Sequence, residues 1–136
     1  MHVLITGGAG MLGRKLAQRL IQDQRIGEQE ITKLTLADIT TPKERPKFEG
    51  AYAEHAMDMG DPGSAETLIQ QRPEFIFHLA AVVSGEAEAD FEKGYRVNLD
   101  STRYLLEAIR TQKDYCPRVI FTSSIAVFGI PFPDPI

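Results

Sequence analysis

Gly7, Gly10 and Gly13 recur at three-residue intervals directly after the apolar run Val3-Leu4-Ile5-Thr6 and at the start of a helix-like pattern. A glycine turn between a buried strand and a helix presents backbone N–H groups at the helix's positive end, where a diphosphate is held. Gly7 permits the sharp turn, and Gly10 lets backbone approach the anion. Gly13 lets the helix pack close to the strand. Alone, such a pattern also describes a loop that only turns the chain. Its place between a strand and a periodic helix points to a dinucleotide.

Further polar groups end the other apolar runs. Asp38 closes the second; a carboxylate there accepts from both ribose hydroxyls of an adenosine and repels a 2′-phosphate, favouring NAD over NADP. Arg14, near the glycine turn, weighs the other way. Asp58 and Met59 close the third run, where a carboxylate either takes the adenine amino group or caps a turn. Leu79, Ala80 and Ala81 follow the fourth, small enough for a ring or ribose to pass close to the backbone. Thr122, Ser123 and Ser124 follow the fifth, one hydroxyl suited to a substrate oxygen and another to a cap. His78, between Phe77 and Leu79, reads as structural. His2 and His55 lack neighbours at metal-ligand spacing, so no metal is expected.

These groups need elements to position them. Strands are expected at Val3–Thr6, Lys33–Ile39, Ala51–Met57, Glu74–Ala80 and Arg118–Ser123. Helices are expected at Met11–Gln22, with Leu12, Leu16 and Leu20 on one face, at Asp61–Gln71 with Asp61 as N-cap, and at Ala89–Gln112. Asp23–Glu30, Thr40–Gly50 and the tail from Gly129 read as irregular. Strands alternating with helices imply an α/β fold, a doubly wound parallel sheet of order 3-2-1-4-5 with the ligand at the carboxyl ends of strands one and four. In the last helix Phe91, Tyr95, Asn98, Thr102, Leu105 and Ile109 form one stripe that should face the sheet. Asn98 would then be buried and bonded to backbone at the end of strand four or five. Gly94 costs about 1 kcal/mol there relative to alanine, with close packing as its only evident reason.

The chain has 136 residues, 43% hydrophobic and 25% charged, with a net charge of −4. That suits one domain with a core and makes nucleic acid an unexpected partner. The single cysteine, Cys116, excludes an internal disulfide. With no signal-peptide pattern and no run long enough for a bilayer, a cytoplasmic protein with a small-molecule substrate is expected.

The motifs TGGAGMLG at Thr6–Gly13, Asp38, Asp58, FHLAA at Phe77–Ala81, YRVN at Tyr95–Asn98 and SSIAVFG at Ser123–Gly129 resemble those of the extended short-chain dehydrogenases, which include nucleotide-sugar epimerases and dehydratases. The resemblance implies a Rossmann-like fold and NAD as cofactor. Met11 and Leu12 would offer N–H groups to the diphosphate, Asp38 would hold the adenosine ribose, and Asp58 with Met59 the adenine. Ser124 would be the active-site hydroxyl. The run His78–Leu105 is similar to the D-erythronate dehydrogenase branch, whose members oxidise the C2 hydroxyl of a four-carbon sugar acid; Ser84-Gly85-Glu86 would then form a loop over the nicotinamide pocket, with Ser84 touching substrate. A nucleotide-sugar epimerase or dehydratase is the alternative. The family's base, the tyrosine of a Tyr-x-x-x-Lys motif, normally lies about two dozen residues beyond the serine; this sequence has no such motif. Residues 1–136 are therefore expected to be the NAD-binding, N-terminal part of a longer enzyme, inactive alone. The long helix could pair two copies, as it often does in the family.

Overall fold

A computed structural model describes residues 1–41 and 46–129. Residues 42–45 of the expected loop and 130–136 of the expected tail lie outside the described residues. Five parallel strands form the main sheet: β1 (His2–Thr6), β4 (Lys33–Asp38), β5 (Ala51–Ala56), β6 (Phe75–His78) and β7 (Arg118–Phe121), in the order β5-β4-β1-β6-β7. This is the expected 3-2-1-4-5 order. The central β1 is buried along its whole length, which explains its unbroken apolar run. The edge strands β5 and β7 are only partly covered, so they tolerate Glu54, His55 and Arg118.

Two apolar layers sandwich the sheet. Val3, Ile5, Leu34 and Leu36 meet Ala17 and Leu20 of α1 (Met11–Asp23). Leu4, Ala37 and Ile76 meet Ala65, Leu68 and Ile69 of α2 (Ser64–Ile69) and Leu105 and Ala108 of α5 (Ser101–Thr111). Full burial of each large aliphatic side chain contributes roughly 1.5–3 kcal/mol.

Several sequence expectations are corrected. The Asp23–Glu30 stretch contains a hairpin, β2 (Arg25–Ile26) against β3 (Gln29–Glu30). Gly27, at φ +59, opens its two-residue turn, as tight hairpins require. The buried stripe of α1 is Gly13, Ala17 and Leu20; Leu12 is 56% exposed. The second helix begins at Ser64 after a left-handed Gly63, so Asp61 is not its N-cap. The long helix is divided: α3 (Ser84–Ala89) ends at an extended Asp90, whose side chain accepts from Lys93 N–H and starts α4 (Phe91–Tyr95). A π-helical turn (Arg96–Asp100) then leads into α5. A capping aspartate is what the sequence offered as a signal for the break. Gly94 now has its reason, because a Cβ there would lie 2.8 Å from the Cβ of Ala87 on α3.

Candidate cofactor site

The glycine turn is a close-packed object. Gly7 takes φ +72, and a Cβ on it would stand 2.8 Å from the amide nitrogen of Ala80. The turn therefore rests on the Leu79–Ala80 backbone leaving β6. Gly13 is tighter, since a Cβ there would lie 2.1 Å from the Gly7 carbonyl oxygen. Gly8, passed over in the sequence, is equally constrained: its Cβ would fall 2.9 Å from that of Leu36. The Gly7 and Gly8 N–H groups both donate to Ala37 O, at 2.8 and 3.2 Å, which ties the turn to β4.

No side chain caps the start of α1, and its first turn holds no acidic residue. First-turn N–H groups of a helix lack intrahelical acceptors. Those of Met11 and Leu12 belong to this set, on residues that are both exposed. Gly10, exposed and without a side chain, leaves the approach open. Bare backbone, free donors and the positive helix end together fit a diphosphate.

Asp38 ends β4 and its Oδ2 accepts from Ala9 N–H at 2.9 Å. The carboxylate is thereby fixed beside the glycine turn, a link the sequence did not reveal. A carboxylate offers about four acceptor positions, so capacity remains for ribose hydroxyls. Asp58 holds two partners: its Oδ1 accepts from Gly60 N–H at 2.8 Å, and its Oδ2 meets Arg96 Nη1 at 2.7 Å. It caps a turn, as one sequence reading held, but the arginine was not foreseen. Met59 buries its side chain in the core beneath the sheet.

Asn98 is exposed rather than buried. The stripe on which that expectation rested does not face the sheet throughout, as Phe91 and Tyr95 are 65% and 53% exposed. Its bonding partners are nonetheless of the expected kind. Oδ1 accepts from Val82 N–H at 2.9 Å and Nδ2 donates to Val82 O at 3.0 Å. The amide thus acts as a strand partner for the segment that carries Ala80 and Ala81. His78 is structural, as expected. It is buried, with Nδ1 2.7 Å from Thr6 Oγ1 and Nε2 3.1 Å from Thr102 Oγ1. Thr102 donates to Asn98 O, so it accepts from an Nε2–H and leaves Nδ1 to accept from Thr6. Burial lowers the His78 pKa to about 4, which keeps the ring neutral.

Beyond β7, Ser123 and Ser124 are exposed, and Ser124 Oγ accepts from Ala126 N–H at 3.2 Å, capping a 3₁₀ turn (Ile125–Phe128). Ser84 is corrected in its setting: with Gly85 and Glu86 it forms the first turn of α3, not a loop. The structure thus gathers Gly7, Gly8, Gly13, Leu79, Ala80 and Asp38 into one contact set, with Asn98 at its flank. Asp58, on the segment that follows the neighbouring β5, pairs instead with Arg96. Among the described residues no group of His, Cys, Asp or Glu is arranged to hold a metal.

The profile of the NAD dependent epimerase/dehydratase family matches residues 3–136. The chain belongs to that family. It is 46% identical over 95% of its length to the D-erythronate dehydrogenase of Cupriavidus necator, spanning 40% of that relative. The nucleoside-diphosphate-sugar epimerase from Agrobacterium tumefaciens superimposes with a TM-score of 0.90 at 55% identity; all of this chain and 41% of that one are covered. A uronate dehydrogenase from Agrobacterium tumefaciens in complex with NAD follows at TM-score 0.68 and 27% identity, with 90% of this chain and 40% of that one covered. The chain spans about 40% of the length of the relatives it matches. The fold shared with these structures is the open parallel sheet with helices on both faces described above.

Proposed function

We propose that these residues form the NAD-binding domain of a dehydrogenase that oxidises the C2 hydroxyl of a small sugar acid, of the D-erythronate kind, to the 2-oxo acid. The observation that carries this reading is the 46% identity to a D-erythronate dehydrogenase across 95% of the chain. In this reading Gly10 and the N–H groups of Met11 and Leu12 hold the diphosphate. Asp38 takes the adenosine ribose and excludes a 2′-phosphate. Asp58 and the backbone of Met59 meet the adenine, the Met59 side chain being held in the core. Leu79, Ala80, Ala81 and Ser123 line the remainder, with Asn98 holding the Val82 segment in place. When bound, NAD supplies the hydride acceptor.

Ser124 spends an acceptor lone pair on Ala126 N–H and keeps its hydroxyl hydrogen for a substrate oxygen. Ser84, exposed at the head of α3, is the substrate contact. The chain contains no Tyr-x-x-x-Lys, so the base that takes the substrate proton lies outside these residues, and these residues alone turn over no substrate. The exposed stripe Phe91, Tyr95, Leu99 and Leu106 suits the pairing of two copies. A second reading, an epimerase acting on a nucleotide sugar, is favoured by the 55% identity to the Agrobacterium protein.

The two readings separate in one assay on the full-length protein. NADH accumulating with D-erythronate supports the dehydrogenase; conversion of a nucleotide sugar without net NADH supports the epimerase. Ser124→Ala should cut turnover at least a hundredfold while NAD affinity stays within about twofold. Equal losses in both would remove the serine from its role.

A further inference from the structure

We propose that Arg96 is the positioning residue for adenine recognition: it holds the Asp58 carboxylate in the orientation that selects an amino group over a carbonyl. This rests on the reading that Asp58 meets the adenine. The Asp58 backbone is already fixed, since Met57 N–H donates to Asp38 O, Asp61 N–H donates to Asp58 O, and the Met59 side chain is embedded in the core. The carboxylate itself is held by two donors, Gly60 N–H on Oδ1 and Arg96 Nη1 on Oδ2. The same guanidinium nitrogen reaches Asp61 Oδ1 at 3.1 Å, so the arginine is anchored from both sides of the turn.

Gly60 makes room for this arrangement. A Cβ on it would lie 2.8 Å from Arg96 Cγ and 3.0 Å from Arg96 O. The arginine stem therefore lies across a residue with no side chain, whose own N–H supplies the other bond to Asp58. Arg96 opens the π-helical turn, and Asn98 of that turn clasps Val82 beyond β6. Such turns recur at functional sites because the extra residue re-aims the side chains around it. One turn of helix thus joins the segment after β5 to the segment after β6.

The chemistry gives the arginine a purpose that stability does not. An exposed ion pair adds little to folding, and Arg96 and Asp58 keep 40% and 24% of their side-chain surface exposed. An ionised carboxylate, however, only accepts hydrogen bonds. It pairs with the exocyclic amine of adenine and repels the carbonyl oxygen that hypoxanthine carries at the same position. That discrimination needs a carboxylate held in one rotamer. Arg96 Nη1 imposes that, because it is itself held between Asp58 Oδ2 and Asp61 Oδ1, while an ammonium on a flexible stem would fix the carboxylate less firmly.

The test compares dissociation constants for NAD and nicotinamide hypoxanthine dinucleotide, by calorimetry on the full-length protein. The unaltered protein should prefer NAD by about tenfold or more. Arg96→Met, which keeps the stem over Gly60, should narrow that preference about fivefold by weakening NAD alone. Arg96→Lys should fall between, and it serves as the readout if the methionine variant does not fold. Asp58→Asn should erase the preference, and Arg96→Met added to it should change the ratio no further. If Asp58→Asn erases the preference but neither Arg96 variant narrows it, the inference fails and the adenine reading stands. If Arg96→Met weakens both dinucleotides equally, the arginine is merely structural and the inference fails. If Asp58→Asn leaves the preference intact, the adenine reading falls and takes the inference with it.

Discussion

Two parts of the proposed cofactor site are built from different material: the glycine turn with its helix start, and the helix-borne contacts to the segments after β5 and β6. At the first, backbone does the work: glycines pressed against Gly7 O, Ala80 N and Leu36 Cβ, and an uncapped helix start. At the second, side chains reach across the fold, Arg96 to Asp58 and Asp61, and Asn98 to Val82. The first fails when atoms are added, because no space exists for them. The second fails when atoms are removed, because its groups are held by partners rather than by packing. Asp38 joins the two styles, a side chain whose bond to Ala9 N–H locks the backbone turn.

The sharpest way to break this comparison is to add atoms at Gly13. Gly13→Val places carbon inside the Gly7 carbonyl contact and should cost roughly 3 kcal/mol or more in urea unfolding, with NAD binding lost. A valine variant of ordinary stability and affinity would show that the turn yields, and the distinction would collapse.

His78 gives the next largest effect. Its folded pKa, lowered to about 4 by burial, lies below the ordinary value near 6.5. Between those values the unfolded chain takes a proton that the folded ring refuses. This contribution is complete above pH 6.5 and is lost as pH falls toward 4, up to roughly 3 kcal/mol. Urea midpoints measured across that window should drop, and the drop should be shallower in His78→Gln.

Removing atoms from the side-chain-built end comes third. Asn98→Ala deletes both bonds to Val82 and should cost about 1–2 kcal/mol. NAD affinity should weaken severalfold, since Ala80 and Ala81 lie on the released segment. Unchanged affinity by calorimetry would detach Asn98 from the site. The control is the Arg19–Asp23 pair on the outer face of α1, with Arg19 71% exposed. Arg19→Ala should shift stability by no more than about 0.5 kcal/mol and leave NAD binding unchanged; a larger effect would show that α1 tolerates less than the contrast assumes.

Legibility followed the same division. Thr6–Gly13 is one contiguous stretch, and its strand, turn and helix start were readable together. Asp38 was readable as the end of a strand, but its bond to Ala9 was not, because that depends on the side-chain orientation at the strand end and on the path of the glycine turn. The break at Asp90 carried a local signal, a capping residue inside a long periodic stretch, that the stripe pattern obscured. Arg96 carried none: its partners Asp58 and Asp61 lie in the turn after a different strand, and a basic residue on an amphipathic helix ordinarily faces solvent.

The amino-acid order by itself determined the alternating strands and helices and the glycine turn, because hydrophobic period, turn chemistry and helix-start preference act between neighbours in the chain; the sheet order followed from that alternation. Only the tertiary structure decided that Asn98 lies exposed yet bonded to Val82, that Gly8 is pinned by Leu36, and that Arg96 crosses Gly60 to reach Asp58. Those relations arise where separate elements meet, and the free energy that selects them comes from packing both faces of the sheet, which no single segment contains.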